Sequence, residues 1–139
     1  QMERKIDTNN PIEANLMPGN GLIYIFREPY VLSSHLKAKI QANGQAIVDM
    51  PNTYYFLYSV LSGEVKFTTG SLTNRDNQSG EIKEVPSLRT GKETIKVKPG
   101  YVYYLKLAVI PENGCSLEHV PYEEGAKLIE NYELKQIKE

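Results

Sequence analysis

The sequence predicts an all-β fold, an antiparallel β-sandwich of about seven strands with one short C-terminal α-helix. Short segments rich in β-branched and aromatic residues recur along the chain, separated by Gly, Pro and Asn turn signals. Several of these segments alternate polar and apolar residues with the period of two that is typical of a half-buried strand. Helical spacing of apolar residues occurs once, near the C-terminus. Strands and helices therefore do not alternate, which excludes a doubly wound parallel sheet.

Composition limits the class of protein further. A chain of 139 residues, 40% apolar and 24% charged, can form one domain with its own core, which excludes a wholly disordered or fibrous protein. The net charge of −1 excludes a strong overall field that would attract nucleic acid or an anionic membrane. No apolar run approaches the roughly 18 residues of a membrane span. The single cysteine excludes an internal disulfide framework and a thiolate metal cluster.

Residues 1–20 are polar and rich in turn residues, which separates them from the single domain predicted for residues 21–139. Two alternatives describe this N-terminal leader. It is either a strap packed across the domain or a flexible tether, and the tether is the more economical interpretation. The apolar side chains available for packing are few: Ile6, Ile12, Leu16 and Met17.

The first strand of the domain is predicted at residues 22–26, an unbroken run of apolar β-branched and aromatic residues. Such a run suits a central strand that is buried on both faces. Residues 37–42 alternate polar and apolar side chains, and residues 45–48 continue beyond Asn43-Gly44. Because Asn-Gly supplies the positive φ angles of a type I′ turn, these two segments are predicted to form a hairpin.

The middle of the chain contains an aromatic-rich strand at residues 53–60 and an alternating strand at residues 64–67. Residues 70–92 then form a long polar stretch, which is unusual for a loop in a compact domain. Two alternatives follow. Residues 82–88 pair as an edge strand, or the stretch is a mobile or functional loop.

The last part of the chain carries the strongest pattern. Residues 94–98 alternate and end at the turn signal Pro99-Gly100. Residues 101–110 form the longest predicted strand, with the odd-numbered side chains on one face and the even-numbered ones on the other. A helix is predicted at residues 121–134, because Pro121 suits a helix start and the apolar residues recur at three and four positions.

Five motifs follow one another in a recognisable order. They are Leu-Ile-Tyr-Ile-Phe-Arg-Glu-Pro (22–29), Asn-Gly (43–44), Ser-Gly-Glu-Val-Lys-Phe (62–67), Val-Lys-Pro-Gly-Tyr-Val-Tyr-Tyr-Leu-Lys (97–106) and Glu-Glu-Gly (123–125). Over about residues 21–130, the chain resembles a family of small lipoprotein-like proteins of the bacterial envelope, of unknown function and related to PEGA-type β-sandwich modules.

The resemblance implies export to the periplasm and attachment to a membrane through a lipidated cysteine at the mature N-terminus. A chain that begins just after such a cysteine would begin as this one does, at Gln1. The family brings no accepted activity and no catalytic residues. The partners it implies are an envelope or cell-wall component or another envelope protein.

Candidate catalytic and metal-binding residues are few. Cys115 and His119 would meet as nucleophile and base only on a helix, whereas the residues around them favour a turn and a strand with a buried thiol. His35 and His119 do not form a zinc pattern, and the oxygen donors between Asn74 and Glu84 do not match an EF-hand. We therefore predict no catalytic residues, no metal site and no cofactor.

Tyrosine is the most unusual component, with ten tyrosines and no tryptophan. Tyrosines on sheets can stack on sugars or anchor peptides, although packing in the core is their more common role. The candidate binding residues are Tyr54, Tyr58, Tyr103 and Tyr104. The predicted function is a non-enzymatic domain of the bacterial cell envelope with a binding or structural role and no nucleic-acid partner. The alternative is a glycan- or peptide-binding module that uses exposed tyrosines and residues 70–92.

Overall fold

The computed structural model describes residues 1–85, 87 and 89–138. In these residues the chain forms two β-sheets, two α-helices and one 3₁₀ turn, which confirms the all-β prediction. The elements are, in chain order, β1 (Arg4–Lys5), α1 (Pro11–Ala14), β2 (Asn20–Arg27), the 3₁₀ turn (Val31–Ser33), β3 (Leu36–Ala42), β4 (Gln45–Met50), β5 (Tyr54–Leu61), β6 (Gly63–Arg75), β7 (Ile82–Val85), β8 (Gly91–Val97), β9 (Tyr101–Ile110), β10 (Gly114–Val120), α2 (Tyr122–Asn131) and β11 (Lys135–Gln136).

The first sheet has the order β1-β9-β2-β5-β11, and β10 also pairs with β9. At its centre β2 and β9 run parallel, with Leu22 opposite Val102, and β11 runs parallel to β5. The prediction of an entirely antiparallel arrangement was therefore wrong. Strands joined by a short hairpin are antiparallel. β2 and β9 are not joined in this way, because all the strands of the second sheet lie between them in the sequence. No hairpin therefore sets the direction of β9 relative to β2.

The second sheet has the order β4-β3-β6, and both β7 and β8 pair with the far side of β6. Asn43 and Gly44, between β3 and β4, have φ angles of 49° and 84°, which confirms the predicted hairpin. β6 continues to Arg75 and pairs with β7. Of the two alternatives for residues 70–92, pairing as an edge strand is therefore the one found at residues 82–85. That strand was predicted to reach residue 88, but Pro86 and Leu88 lie outside the described residues.

The described residues contain eleven strands where about seven were predicted. Two of the four additional strands, β1 and β11, have two residues each, which is too short to show any period. The third, β7, is the edge strand that was one of the two alternatives for residues 70–92. The fourth, β10, was expected to be extended but was not counted as a strand of a sheet. It pairs with β9 along its whole length, from Gly114 opposite Ile110 to Val120 opposite Tyr104.

The main core lies between the two sheets. The odd-numbered residues of β9 point into it, and the even-numbered Val102 and Tyr104 point to the opposite face, as the alternation predicted. That opposite face forms a second, smaller apolar cluster with α2 and the N-terminal residues. The largest fully buried apolar side chains of the main core come from both sheets: Ile23, Ile25, Ile40, Met50, Phe67, Ile95, Tyr103, Leu105 and Leu107.

Residues 1–20 form a strap packed across the outer face of the first sheet, not a free tether. Arg4 pairs with Val102 of β9, and the backbone N–H of Ile6 donates to the Gly100 carbonyl at 3.0 Å. Ile6 and Leu16 pack into the smaller apolar cluster. Together with a buried polar cluster described below, these contacts hold the strap, and the sequence pattern of residues 1–20 does not show them.

Helix α2 covers the same face and is seated on Tyr104. Gly125 lies in its first turns and is buried, and a Cβ atom at this position would lie 2.5 Å from Cβ and Cγ of Tyr104. The helix can therefore approach β9 this closely only because the side chain is absent. With ten residues α2 is the longest helix of the described chain, where no helix has the length and apolar character to cross a membrane.

Replacing Gly125 with alanine tests this contact. In an exposed helix the change would stabilise by about 1 kcal/mol. Here we expect a loss of about 1–3 kcal/mol, because the added methyl group overpacks the contact with Tyr104. Urea unfolding of Gly125→Ala measures the difference. Glu124→Ala, an exposed change in the same turn, is the control and should alter stability by less than about 0.5 kcal/mol. A stabilised Gly125→Ala variant would contradict the packing described.

Candidate functional site

The four tyrosines predicted to bind a ligand occupy two different environments. Tyr103 and Tyr104 lie on β9 with only 1% and 3% of their surface exposed. Tyr54 and Tyr58 lie on β5 and are half-buried, and Tyr58 packs edge-on against Phe67 in the main core. Tyr103 and Tyr104 therefore present no exposed ring to a ligand, whereas Tyr54 and Tyr58 stay candidate binding residues. β9 is an interior strand of its sheet, and packing on both of its faces covers these two rings.

A row of tyrosines does exist, but with other members. On the outer face of the first sheet Tyr24 stacks on Tyr104, with ring centroids 4.8 Å apart, and lies 6.1 Å from Tyr55. The strap and α2 pack against this face, so the row is a packing feature. Sequence reasoning could not assemble it, because its members come together through the pairing of β2 with both β9 and β5.

Beneath the strap, an ion pair between two residues of the strap is tied to the sheet by two tyrosine hydroxyls. The two terminal nitrogens of Arg4 each donate to one carboxylate oxygen of Glu13, both at 2.8 Å, and Arg4 also donates to the Tyr104 hydroxyl at 3.1 Å. The Tyr24 hydroxyl donates to Oε2 of Glu13 at 2.6 Å, and the backbone N–H of Asp7 donates to Oε1 at 2.8 Å. We call these five residues the strap clamp.

The strap clamp contains the strongly perturbed pKa values that often mark a functional site. Burial by itself raises the pKa of Glu13, but the hydrogen bonds from Arg4, Tyr24 and Asp7 together outweigh it and hold the pKa at about 2. Burial and the Glu13 carboxylate raise the pKa of Tyr24. Each carboxylate oxygen already accepts two hydrogen bonds, so neither is left for a ligand. The clamp therefore fastens the strap and is not a site of chemistry.

A second buried charge, Arg27, organises the opposite end of β2. Its side chain is fully buried and donates to the carbonyls of Leu36, Ser33 and Met50. The Ser33 hydroxyl in turn donates to the Val109 carbonyl at 2.6 Å. Burial lowers the pKa of Arg27 to about 10, so the group is still protonated at neutral pH. It acts by fixing the 3₁₀ turn, the start of β3 and the end of β4 around one end of the core, and Ser33 extends this network to the end of β9.

The best-formed cleft of the described residues opens at this same end and is mainly apolar. Its volume is about 280 Å³. An apolar cavity of about 150 Å³ holds one benzene, so this cleft has room for one or two apolar side chains. Leu32 lines it although 67% of its surface is exposed to solvent, as does Ile110 at 37%. The apolar side chains that line the cleft are Leu32, Leu36, Leu72, Val85, Ile110 and Pro111.

A few polar groups also line this cleft. Glu112 supplies the formal negative charge of the lining, and His35, Asn74 and Ser87 supply hydrogen-bonding atoms. Glu112 has a φ angle of 76°, an uncommon conformation for a residue with a side chain. An apolar pocket with a small number of polar groups is the usual composition of a ligand site.

A second, neighbouring cleft of about 290 Å³ shares one wall with the first. Ile110 lines both, and Tyr30 lines the second beside Glu28 and Tyr132. The Tyr132 hydroxyl donates to the Glu28 carboxylate at 3.2 Å. The two clefts together form one surface, which we call the end surface.

Cys115 and His119 are not brought together. They lie four residues apart on β10, a separation of about 13 Å along an extended strand. The Cys115 thiol is 2% exposed, and burial raises its pKa, which disfavours the reactive thiolate. The His119 ring packs near Tyr103, and its Nε2 lies 3.2 Å from the Met2 carbonyl. The arrangement offers no nucleophile and base within reach of each other.

The potential metal-binding side chains are dispersed in the described part of the chain. In the described residues no group of three or more His, Cys, Asp or Glu side chains is placed to hold a metal ion. In the stretch between Asn74 and Glu84, Asp76 accepts hydrogen bonds from the backbone N–H groups of Gln78 and Ser79 at 2.8 and 3.3 Å. This carboxylate therefore shapes the turn between β6 and β7.

Comparisons with known proteins add no family assignment. No protein-family model matches the chain, and no curated protein matches it. The geometry of the site is therefore the basis for inferring function.

Sequence reasoning missed the end surface. A signal was present, since Val31 and Leu32 are adjacent apolar residues in a turn and neither belongs to a periodic segment. Such residues are candidates for contact with another molecule. Their association with Ile110, 78 positions beyond Leu32, depends on Ser33 binding the Val109 carbonyl, which the sequence does not show.

The strap clamp makes a testable prediction about pH. Because the folded-state pKa of Glu13 lies below its ordinary value of 4.5, the clamp stabilises the fold above pH 4.5, and this contribution is lost as the pH falls towards 2. We expect Glu13→Gln to lower the free energy of unfolding at pH 7 by about 2–3 kcal/mol and to flatten its dependence on pH between 5 and 2. Urea unfolding across this range measures both.

The control is Glu124→Gln, which changes an exposed carboxylate and should leave the pH dependence as it is in the original chain. If Glu13→Gln kept the original slope between pH 5 and 2, the ion pair would not be the source of the acid sensitivity.

Proposed function

We propose that this chain is a non-enzymatic binding module of the bacterial cell envelope, with a β-sandwich as its scaffold. Its proposed ligand is a peptide segment of a partner protein that places an apolar side chain in the cleft between Leu32 and Ile110. The observation that carries the proposal is the end surface, where large apolar side chains remain exposed around a cleft of about 280 Å³. Exposed apolar surface of this kind is typical of interaction sites.

The charge of the cleft lining and the rigidity of one cleft wall define the ligand more closely. Glu112 is the acidic residue among the side chains that line the cleft, so a basic residue next to the apolar one is favoured. Arg27 holds the 3₁₀ turn through Ser33, so one wall of the cleft is already ordered before a ligand arrives. A preformed wall lowers the ordering cost of binding.

The proposed envelope location depends on the sequence motifs of residues 22–29 and 97–106. Their resemblance to lipoprotein-like envelope proteins supports export and an N-terminal lipid anchor. A binding module with partners in the periplasm is consistent with that location.

A glycan ligand has less support. Flat stacking on a sugar needs an exposed aromatic face. Of the four predicted tyrosines, Tyr54 and Tyr58 are half-buried and the other two are covered. The exposed tyrosine at the end surface, Tyr30, is a single ring beside an apolar cleft, which suits a peptide better.

The binding proposal is tested with pentapeptides that have Leu, Phe or Ser at the centre, each with a neighbouring Lys or Asp. Amide chemical shifts of the isotope-labelled protein report where each peptide binds. We expect the Leu- or Phe-centred peptides with Lys to bind most tightly and to shift residues of the end surface. Leu32→Ser should weaken binding at least tenfold, because it removes about 1.5–3 kcal/mol of apolar contact.

Val31→Ser is the matched control, since Val31 is exposed in the same turn but does not line the cleft. It should change affinity less than threefold. Shifts that map elsewhere, or equal binding of the Ser-centred peptides, would contradict the proposed site.

The location is tested separately by fractionating native cells and measuring the mass of the mature N-terminus. We expect the protein in the membrane fraction, with a lipidated cysteine as its mature N-terminal residue. An unmodified N-terminus in the cytosolic fraction would contradict the envelope assignment without affecting the peptide site.

A further inference from the structure

The outer face of the second sheet carries an unusual concentration of basic side chains. Strand alternation places residues of β3, β6 and β8 on this face in register, with Lys39 opposite Ser71 and Lys92 opposite Thr68. The register shifts between Lys39 and Ile40, which leaves Gly70 without a partner on β3. Because of this extra residue, the outward-facing side chains of β3 and β6 lie opposite one another on both sides of Gly70. The cations of this face are Lys37, Lys39, Lys66, Arg75, Lys92 and Lys96. We call it the basic face.

The charge of the chain is therefore segregated. The carboxylates on the same face are three, Asp49, Glu64 and Glu84, against six cations, which gives this face a net charge of +3. Since the whole chain has a net charge of −1, the remainder carries −4. The near-neutral total hides a molecule with one basic side, and such a molecule is oriented by an anionic surface.

Most of these cations are available. Among ion pairs of the described residues, one involves the basic face, between Lys39 and Asp49 at 3.8 Å. Side chains two residues apart on a strand are about 7 Å apart, and neighbouring strands are about 4.8 Å apart. Cations this close together on a sheet repel one another, so binding of an anionic partner would lower the electrostatic energy of the face.

A shallow polar cleft lies within the basic face, at the unpaired Gly70. It has a volume of about 290 Å³ and is lined by Lys39 together with the hydroxyl and amide groups of Gln41, Thr68, Ser71 and Thr90. A Cβ atom at Gly70 would lie 2.5 Å from Cγ2 of Thr90, so any larger residue there would have to displace that side chain from the cleft wall. Hydroxyl, amide and ammonium groups are the donors that bind phosphate oxygens.

We propose that the basic face docks on an anionic lipid surface, with a lipid phosphate bound in the cleft at Gly70. Each Lys or Arg side chain within about a Debye length of such a surface adds to the attraction. A broad array of cations therefore suits binding to a lipid surface better than a single deep site does. Ile82, 58% exposed, lies opposite Arg75 on the same face and supplies an apolar contact with the interface. Single-stranded nucleic acid is disfavoured, because the described strands of this sheet present no aromatic side chain on this face for base stacking.

The proposed docking needs neither the peptide site nor a lipid anchor, so the 139-residue chain is sufficient to test it. Vesicles of phosphatidylcholine with 30% phosphatidylglycerol, and of phosphatidylcholine alone, are sedimented with the protein at 50 and 300 mM salt. We expect at least tenfold tighter binding to the anionic vesicles at 50 mM salt and its loss at 300 mM.

The decisive variant is the triple change Lys37→Gln, Lys39→Gln, Lys96→Gln, which should reduce binding to anionic vesicles at least tenfold. The matched control, Lys127→Gln, Lys135→Gln, Lys138→Gln, removes the same charge from exposed positions on other elements and should stay within twofold. Urea unfolding checks that both variants are folded.

Three outcomes would overturn the proposal. They are equal binding to both kinds of vesicle, equal loss in the two triple variants, or tighter binding to a 20-nucleotide single strand than to anionic vesicles at the same salt. The last outcome would reassign the basic face to nucleic acid.

Discussion

The buried guanidinium of Arg27 connects the parts of the molecule that form the end surface. It belongs to β2 in the first sheet, yet it donates to carbonyls of Leu36 and Met50 in the second sheet and of Ser33 in the 3₁₀ turn. A charge without a carboxylate partner is costly to bury, and it persists here because backbone carbonyls take most of its donors. Its Nε atom has no partner among the described residues. The turn, the two sheets and the end of β9 are thus held in one arrangement by a side chain that no apolar residue could replace.

The pair of strands β6 and β7 contributes to both proposed surfaces, and strand alternation explains how. Leu72 and Val85, which face each other across the pair, point inward and line the apolar cleft. Ser71 points outward, where it lines the polar cleft of the basic face. Part of the polar composition of residues 70–92, which resembles that of a loop, reflects the solvent-facing side of β6 and β7. A peptide partner and a lipid surface would therefore contact opposite faces of the same pair of strands.

The strap shows how a polar segment can be part of a fold. Residues 1–20 bury few apolar side chains, but Glu13 buries a carboxylate whose four hydrogen bonds come from the strap itself and from Tyr24 on the sheet. Removing one partner of such a pair leaves an uncompensated charge, so the segment is held cooperatively. Its position over the stacked tyrosines also explains why these rings are not a ligand surface. The fold uses its tyrosines mainly to pack the outer face of the first sheet.

The sequence alone determined the features that depend on neighbouring residues. Alternation predicted both faces of β9, Asn43-Gly44 predicted its hairpin, and Pro121 with the apolar spacing that follows predicted α2. The tertiary structure decided what depends on distant residues. The parallel pairing of β2 with β9, the ion pair of Arg4 with Glu13, and the meeting of Leu32 with Ile110 each join segments with no local signal for one another. Burial divides in the same way. The sequence pattern showed that Tyr103 and Tyr104 lie on opposite faces of β9. Only the packing of the strap, α2 and the second sheet determined that both of these side chains are covered.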